Sequence, residues 1–201
     1  MYAFIKKLIS IYYKLLFGVT YYGMDNVPAD GGVLFCSNHI SNNDPPLLGS
    51  SINRQLCIMA KKELFSIPVI NLIIKAFGAY PIDRGTSDLG AMRTTLNILK
   101  DGGAILMFPE GRRNLSTDPE KFKPGALNIA YKALVPLVPV YIDGKYKLFG
   151  KMSVYIGKPV LPEKIGNIIK TASSDRKNKN HIVSRFLYDV IIGTKENIGL
   201  G

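Results

Sequence analysis

The chain has 201 residues, enough for one globular domain with short appendages, and its 47% hydrophobic and 20% charged residues exclude wholesale disorder. Lys plus Arg number 26 against 15 Asp plus Glu, a net charge of +11, while the mean hydropathy is positive at +0.11. A chain both basic and apolar points to an anionic membrane, which satisfies both properties, ahead of nucleic acid, which satisfies only the charge.

Residues 1–20 read MYAFIKKLISIYYKLLFGVT. Lysines interrupt the apolar run, so a membrane-spanning helix is not expected, and no small-residue cleavage site marks a signal peptide. Wound as a helix, Lys6, Lys7, Ser10 and Lys14 share one arc of about 100° and the apolar residues take the rest. The expectation is an amphipathic helix over residues 1–22 lying in a membrane interface, lysines toward the headgroups. The competing reading is a core helix with one wet stripe.

Beyond Gly23 short apolar runs alternate with helical patterns. Residues 33–36, 55–60 and 104–108 read as buried strands, 138–142 and 152–156 as strands, 80–82 as a brief extended piece, and 89–100, 126–133 and 182–192 as helices. Residues 64–77 are apolar and long enough for a further helix. Residues 171–180 (TASSDRKNKN) read as a basic linker or exposed loop. The expected fold is α/β: one domain over residues 23–170, with a mostly parallel or mixed sheet flanked by helices, then a basic linker and C-terminal helix over 171–201. Cys36 and Cys57 both sit in apolar runs without zinc spacing, which predicts reduced core thiols, a reducing compartment and no metal site.

Two histidines are present. His181 lies in a polar stretch. His39 directly follows the strand VLFC, in Asn38-His39-Ile40-Ser41-Asn42-Asn43-Asp44-Pro45-Pro46, where α/β folds place reactive groups. On one continuous helix His39 and Asp44 are about 140° apart, but the asparagines and prolines favour a turn. A turn brings Asp44 onto one imidazole nitrogen and leaves the other as a base for a hydroxyl. The alternative is that Asp44 caps a helix beginning at Pro45. Arg84 follows the extended segment 80–82, and Glu110-Gly111-Arg112-Arg113 follows 104–108. Arginines at strand ends suit a phosphate; taken singly, each reads first as a surface ion pair, Asp83 with Arg84 or Glu110 with Arg113.

In order, these blocks resemble the glycerolipid acyltransferases, specifically the 1-acylglycerol-3-phosphate (lysophosphatidate) acyltransferases. The blocks are Asn38-His39-x4-Asp44, then Gly78 with Ile82-Asp83-Arg84, then Phe108-Pro109-Glu110-Gly111-Arg112-Arg113-Asn114, then Phe122-Lys123-Pro124-Gly125-Ala126, and last Val138-Pro139-Val140. The match spans about residues 30–160 and departs at Arg112 and Asn114, where the family usually has Thr and Ser. The resemblance implies acyl transfer from a thioester, on coenzyme A or acyl carrier protein, to the hydroxyl of lysophosphatidate, with no cofactor beyond that co-substrate. It implies His39 as base and Asp44 as its orienting partner. Arg84, Arg113, Lys123 and Arg112 then hold the phosphate, Glu110 positions an arginine or a substrate hydroxyl, and Gly111 permits close backbone approach. Backbone amides after His39 or Gly111 are the candidates for the oxyanion. The expected partner surface is an anionic phospholipid leaflet, not nucleic acid, at the cytoplasmic face of the cell membrane. Lys145, Lys147, Lys151 and Lys158, with no acid between them, add to the charge that faces it. Other readings keep the chemistry on another lysolipid or glycerol 3-phosphate, or make the chain a non-catalytic basic binding protein. A serine hydrolase lacks its Gly-x-Ser-x-Gly turn here.

Overall fold

The apolar N-terminal stretch folds as helix α1, Tyr2–Phe17, and turns at Gly18 into strand β1, Val19–Tyr22. The computed structural model describes residues 2–68, 71, 74–75, 78–82, 89–113, 118–175 and 178–198. The elements that follow are β2 (Val33–Ser37), α2 (Asp44–Ser51), β3 (Leu56–Lys61), β4 (Tyr80–Ile82), α3 (Leu89–Lys100), β5 (Ala104–Met107) and α4 (Gly125–Ala133). After them come β6 (Leu137–Gly144), β7 (Met152–Ile156), α5 (Pro162–Ser174), α6 (Lys179–Ile192) and α7 (Thr194–Ile198).

The strands form one 7-stranded sheet in the order β1-β7-β6-β2-β5-β3-β4. Only β6 and β7 are antiparallel neighbours; every other pair is parallel. Helices cover both faces, which is why β2 and β5 read as unbroken apolar runs instead of alternating ones. On β2, Val33 and Phe35 face Leu47 and Leu48 of α2, while Leu34 and Cys36 face Leu127 and Ala130 of α4 on the other side. The mixed α/β sheet expected from the sequence is the one observed.

Four regions bear comparison with the expectations. Residues 44–51 form a helix, so the turn expected after His39 and the alternative of a helix beginning at Pro45 are both present: Asp44 leads the helix, the prolines occupy its first turn, and Leu47, Leu48, Gly49 and Ser50 are buried, so no amphipathic period advertises it. Of the stretch 171–180 expected as a linker, residues 171–174 are the last turn of α5 and 179–180 the start of α6, so the boundary expected at 170 falls inside a helix. Beyond it α6 buries Val183, Leu187 and Ile191 at helical spacing, which makes the C-terminal segment part of the core. At the other end β1 lies within the segment expected as an appendage, yet it pairs with β7 at the sheet edge. In the region expected as a helix over 64–77, Lys62–Ser66 is a 3-10 turn, Pro68, Asn71, Ile74 and Lys75 are helical as expected, and residues 69–70, 72–73 and 76–77 lie outside the described residues.

Helix α1 lies against α2, and its inward face carries Ile9, Tyr13 and Phe17. Lys6 is on that inward side as well. Its ammonium donates to the carbonyls of Ile52 and Arg54, at the carboxyl end of α2. The expectation that Lys6 points toward headgroups is therefore corrected: helix-end carbonyls carry partial negative charge and lack intrahelical partners, so a cation caps them. The outward face carries Ile5, Leu8, Ile11, Tyr12 and Leu15, all exposed, beside exposed Lys7 and Lys14. Among the described residues no helix is long and apolar enough to cross a membrane.

Candidate active site

Strands β2, β5 and β6 are adjacent and parallel, so their carboxyl ends open on the same edge of the sheet. His39 and Asp44 follow β2, Phe108 to Arg113 follow β5, and Tyr146 follows β6. The chain after β2 is fixed first. The side-chain amide of Asn38 donates to the carbonyl of Ile142 (2.9 Å) and its oxygen accepts from the Ile142 amide (2.8 Å). A side chain thus continues the β2–β6 ladder for one step while the backbone turns away.

The turn folds around one carboxylate. Asp44 is fully buried (0% exposed). Its Oδ2 accepts from the amides of Ile40 (2.7 Å) and Ser41 (2.8 Å) and bonds His39 Nδ1 (2.8 Å). Its Oδ1 accepts from the hydroxyl of Tyr146 (2.8 Å). The carboxylate faces back up the chain and does not cap α2, whose first turn is preceded by Asn43 without a side-chain cap. A buried charge is tolerable only with such a set of donors. The five-residue spacing therefore has a geometric meaning: it closes a loop of amides on the acid that orients the imidazole.

His39 keeps 13% of its side chain exposed. Its ring lies on that of Phe108, with centroids 4.1 Å apart and planes inclined by 23°. Its backbone amide donates to Oε1 of Glu110 (3.1 Å), itself nearly buried. An imidazole held at Nδ1 by a carboxylate can accept a proton at Nε2.

Gly111 has φ +70°, a region that favours glycine, and a Cβ there would stand 3.1 Å from Lys123 Nζ. The Lys123 side chain thus lies over the Gly111 backbone, and its amide donates to the carbonyl of Pro109 (3.0 Å). Arg112 and Arg113 follow directly, both exposed. The structure joins His39, Asp44 and Glu110 through hydrogen bonds, sets Gly111 against Lys123, and puts Arg112 and Arg113 on the adjoining rim. Arg84 and Asn114 lie outside the described residues. The amides of Ile40 and Ser41, expected among the oxyanion donors, are committed to Asp44, and that of Gly111 to the carbonyl of Phe108 (2.9 Å).

Sequence reasoning missed Phe108 as the ring beneath His39, Tyr146 as the second donor to Asp44, and the anchoring role of Asn38. Tyr146 carries no signal in the sequence beyond an aromatic between lysines. The tyrosine hydroxyl stays protonated: burial and the Asp44 charge hold it well above the ordinary phenol range. Burial likewise pushes the Cys36 thiol up, so it is a core group and not a thiolate nucleophile.

Residues 18–143 match the family model described as Acyltransferase. The chain belongs to the acyltransferase family. Across 166 residues this acyltransferase is 35% identical to the 1-acyl-sn-glycerol-3-phosphate acyltransferase of Bacillus subtilis, a match over 80% of this chain and 82% of that protein. The protein of the same name from Borreliella burgdorferi is 27% identical over 170 residues, 80% of this chain and 66% of that one. The fold is similar to the crystal structure of the 1-acyl-sn-glycerophosphate (LPA) acyltransferase PlsC from Thermotoga maritima. The TM-score is 0.70 at 27% identity, over 98% of this chain and 80% of that chain. These names bear out the resemblance drawn from the ordered sequence blocks.

Proposed function

We propose that this acyltransferase moves an acyl group from a thioester, on coenzyme A or acyl carrier protein, to the free hydroxyl of lysophosphatidate, giving phosphatidate. The observation that carries the reading is the Asp44–His39 pair: a fully buried carboxylate with two amide donors, 2.8 Å from an imidazole that reaches the surface. His39 Nε2 takes the proton of the hydroxyl as its oxygen attacks the thioester carbonyl. Asp44 stabilises the imidazolium that forms. The tetrahedral intermediate collapses with cleavage of the carbon–sulfur bond, and the leaving thiolate recovers the proton from His39. Arg84, Arg112, Arg113 and Lys123 supply cations for the phosphate, which fixes the hydroxyl against the base. Amides beyond Gly111 are the backbone donors left for the oxyanion. No cofactor beyond the thioester enters these steps.

The names of the relatives supply the substrate class, and the charge supplies the surface. The outward apolar face of α1 is bordered by Lys7 and Lys14, and the β6–β7 loop exposes Leu148 and Phe149 among Lys145, Lys147 and Lys151. Such a surface fits an anionic leaflet, with the enzyme peripheral to the cytoplasmic face of the membrane.

A labelled acyl-transfer assay over a panel of acceptors tests the reading. Lysophosphatidate is expected to turn over fastest, ahead of glycerol 3-phosphate and lysolipids without a terminal phosphate. His39→Ala is expected to stay folded and lose on the order of 10³-fold in kcat. Equal rates on all acceptors remove the substrate assignment, and near-normal turnover in the alanine variant removes the base.

A further inference from the structure

The ordered sequence blocks account for His39, Asp44 and Glu110, but Tyr146 belongs to none of them. It stands in the loop between β6 and β7, 102 residues from the carboxylate it touches. Its hydroxyl donates to Asp44 Oδ1 at 2.8 Å. Its ring is held by α1: the Phe17 centroid is 5.4 Å away at 81°, and that of Tyr13 6.2 Å away at 66°. Tyr13 in turn donates to the carbonyl of Asn43, next to Asp44 (3.3 Å). Aromatic side chains of α1 therefore wall in the donor on the far side of the catalytic carboxylate.

We propose that Tyr146 is a positioning residue of the acyl transfer, acting on His39 through Asp44. The proposal rests on the reading of His39 as the base. The torsion that orients a carboxylate is soft, so donors must set its plane. Oδ2 has two amides and the imidazole; the only hydrogen bond to Oδ1 among the described residues is the phenol's. The phenol fixes the plane that presents Oδ2 to His39 Nδ1. It also draws negative charge toward Oδ1 and so tempers the basicity that Asp44 confers on the imidazole. The ionisable groups around Tyr146 are Asp44, Tyr13 of α1 and Tyr21 of β1; Asp44 also faces His39.

The test is Tyr146→Phe in the full chain, which keeps the ring against Tyr13 and Phe17 and removes one hydroxyl. Two quantities are read: the pH profile of kcat, and the titration of the His39 imidazole by NMR, with His181→Gln present so that one histidine signal remains. The variant is expected to lose about 3- to 10-fold in kcat. The imidazole midpoint, and with it the acid limb of the profile, is expected to move upward by about 0.5 to 1 pH unit, because the undivided carboxylate charge favours the imidazolium. The proposal requires both changes. An unchanged kcat overturns it. So does a lower kcat with an unmoved midpoint, which is what a merely structural tyrosine gives. Activity in His39→Ala together with a moved midpoint in Tyr146→Phe strikes the base assignment, and the positioning role with it. An inactive His39→Ala beside an unmoved midpoint strikes the tyrosine alone.

Discussion

Asp44 accepts hydrogen bonds on both carboxylate oxygens, and the two oxygens have different partners. That division makes Asp44→Asn an informative substitution. The amide oxygen can take the place of Oδ2 and keep the donors from Ile40, Ser41 and His39. The amide nitrogen then faces Tyr146, whose hydroxyl can turn and accept. The variant is therefore expected to fold, with Tm lowered by a few degrees, while kcat falls on the order of 10²- to 10⁴-fold because no charge stabilises the imidazolium. Acceptor KM is expected to stay within about threefold, since the cations proposed to hold the phosphate are untouched. Steady-state kinetics beside a thermal melt check it; a kcat within fivefold of the parent contradicts the role given to Asp44. At this scale the sequence was informative where residues are close along the chain. His39, Asp44 and Glu110 stood out because short blocks contain them. Tyr146 and the Asn38–Ile142 pairing did not, because their partners lie more than 100 residues away and no local period records them.

The elements were legible in proportion to their patterning. Strands β2 to β7 appeared as apolar runs, and α3 and α4 as helical periods. Helix α2 is buried along most of its length and has no period to read, and α5 begins in a polar stretch that its packing overrides. Helix α1 was legible as a helix, but its orientation was not, because the carbonyls that hold Lys6 belong to residues 46 and 48 positions further on. The orientation matters for the surface. Ile5, Leu8, Ile11, Tyr12 and Leu15 face outward, and the tip of the β6–β7 loop is tied to the end of α1 by the Phe149 amide on the Leu16 carbonyl (2.6 Å). Replacing Leu8, Leu15, Leu148 and Phe149 by Ser is expected to leave Tm within about 3 °C, since these side chains are already exposed. Binding to vesicles containing anionic phospholipid is expected to fall by at least about tenfold in a sedimentation assay. Undiminished binding contradicts the membrane role proposed for these side chains.

For the whole molecule, the sheet order explains why one edge holds the chemistry. The central strands β6, β2 and β5 run the same way and deliver Tyr146, the His39–Asp44 pair and the Arg112–Arg113 rim to adjoining positions. The same burial sets the response to alkali. Burial holds the ionisations of Cys36, Cys57, Tyr13, Tyr21, Tyr141 and Tyr146 above their ordinary values, and pushes that of Tyr80 up to about 12. Above about pH 9 the unfolded chain releases protons that the folded chain retains. The unfolded state then binds fewer protons, and stability falls as pH rises. Lys6, lowered by burial, works in the opposite sense but is a single group. Melts are expected to give a Tm flat from about pH 7 to 8.5 and falling steadily above about pH 9. A Tm unchanged at pH 10.5 contradicts the burial of these groups.

The sequence distance between Asp44 and Tyr146, 102 residues, has a consequence in time. The turn around His39 can close early, since its amides and its acid are neighbours. Its last donor arrives only once β6 has emerged and docked beside β2, a non-local pairing that must overcome the entropy of a long loop. The hydrogen bond between Asp44 and Tyr146 is therefore a reporter of the docked β2–β6 pair, present only in a chain whose sheet has closed beside the turn.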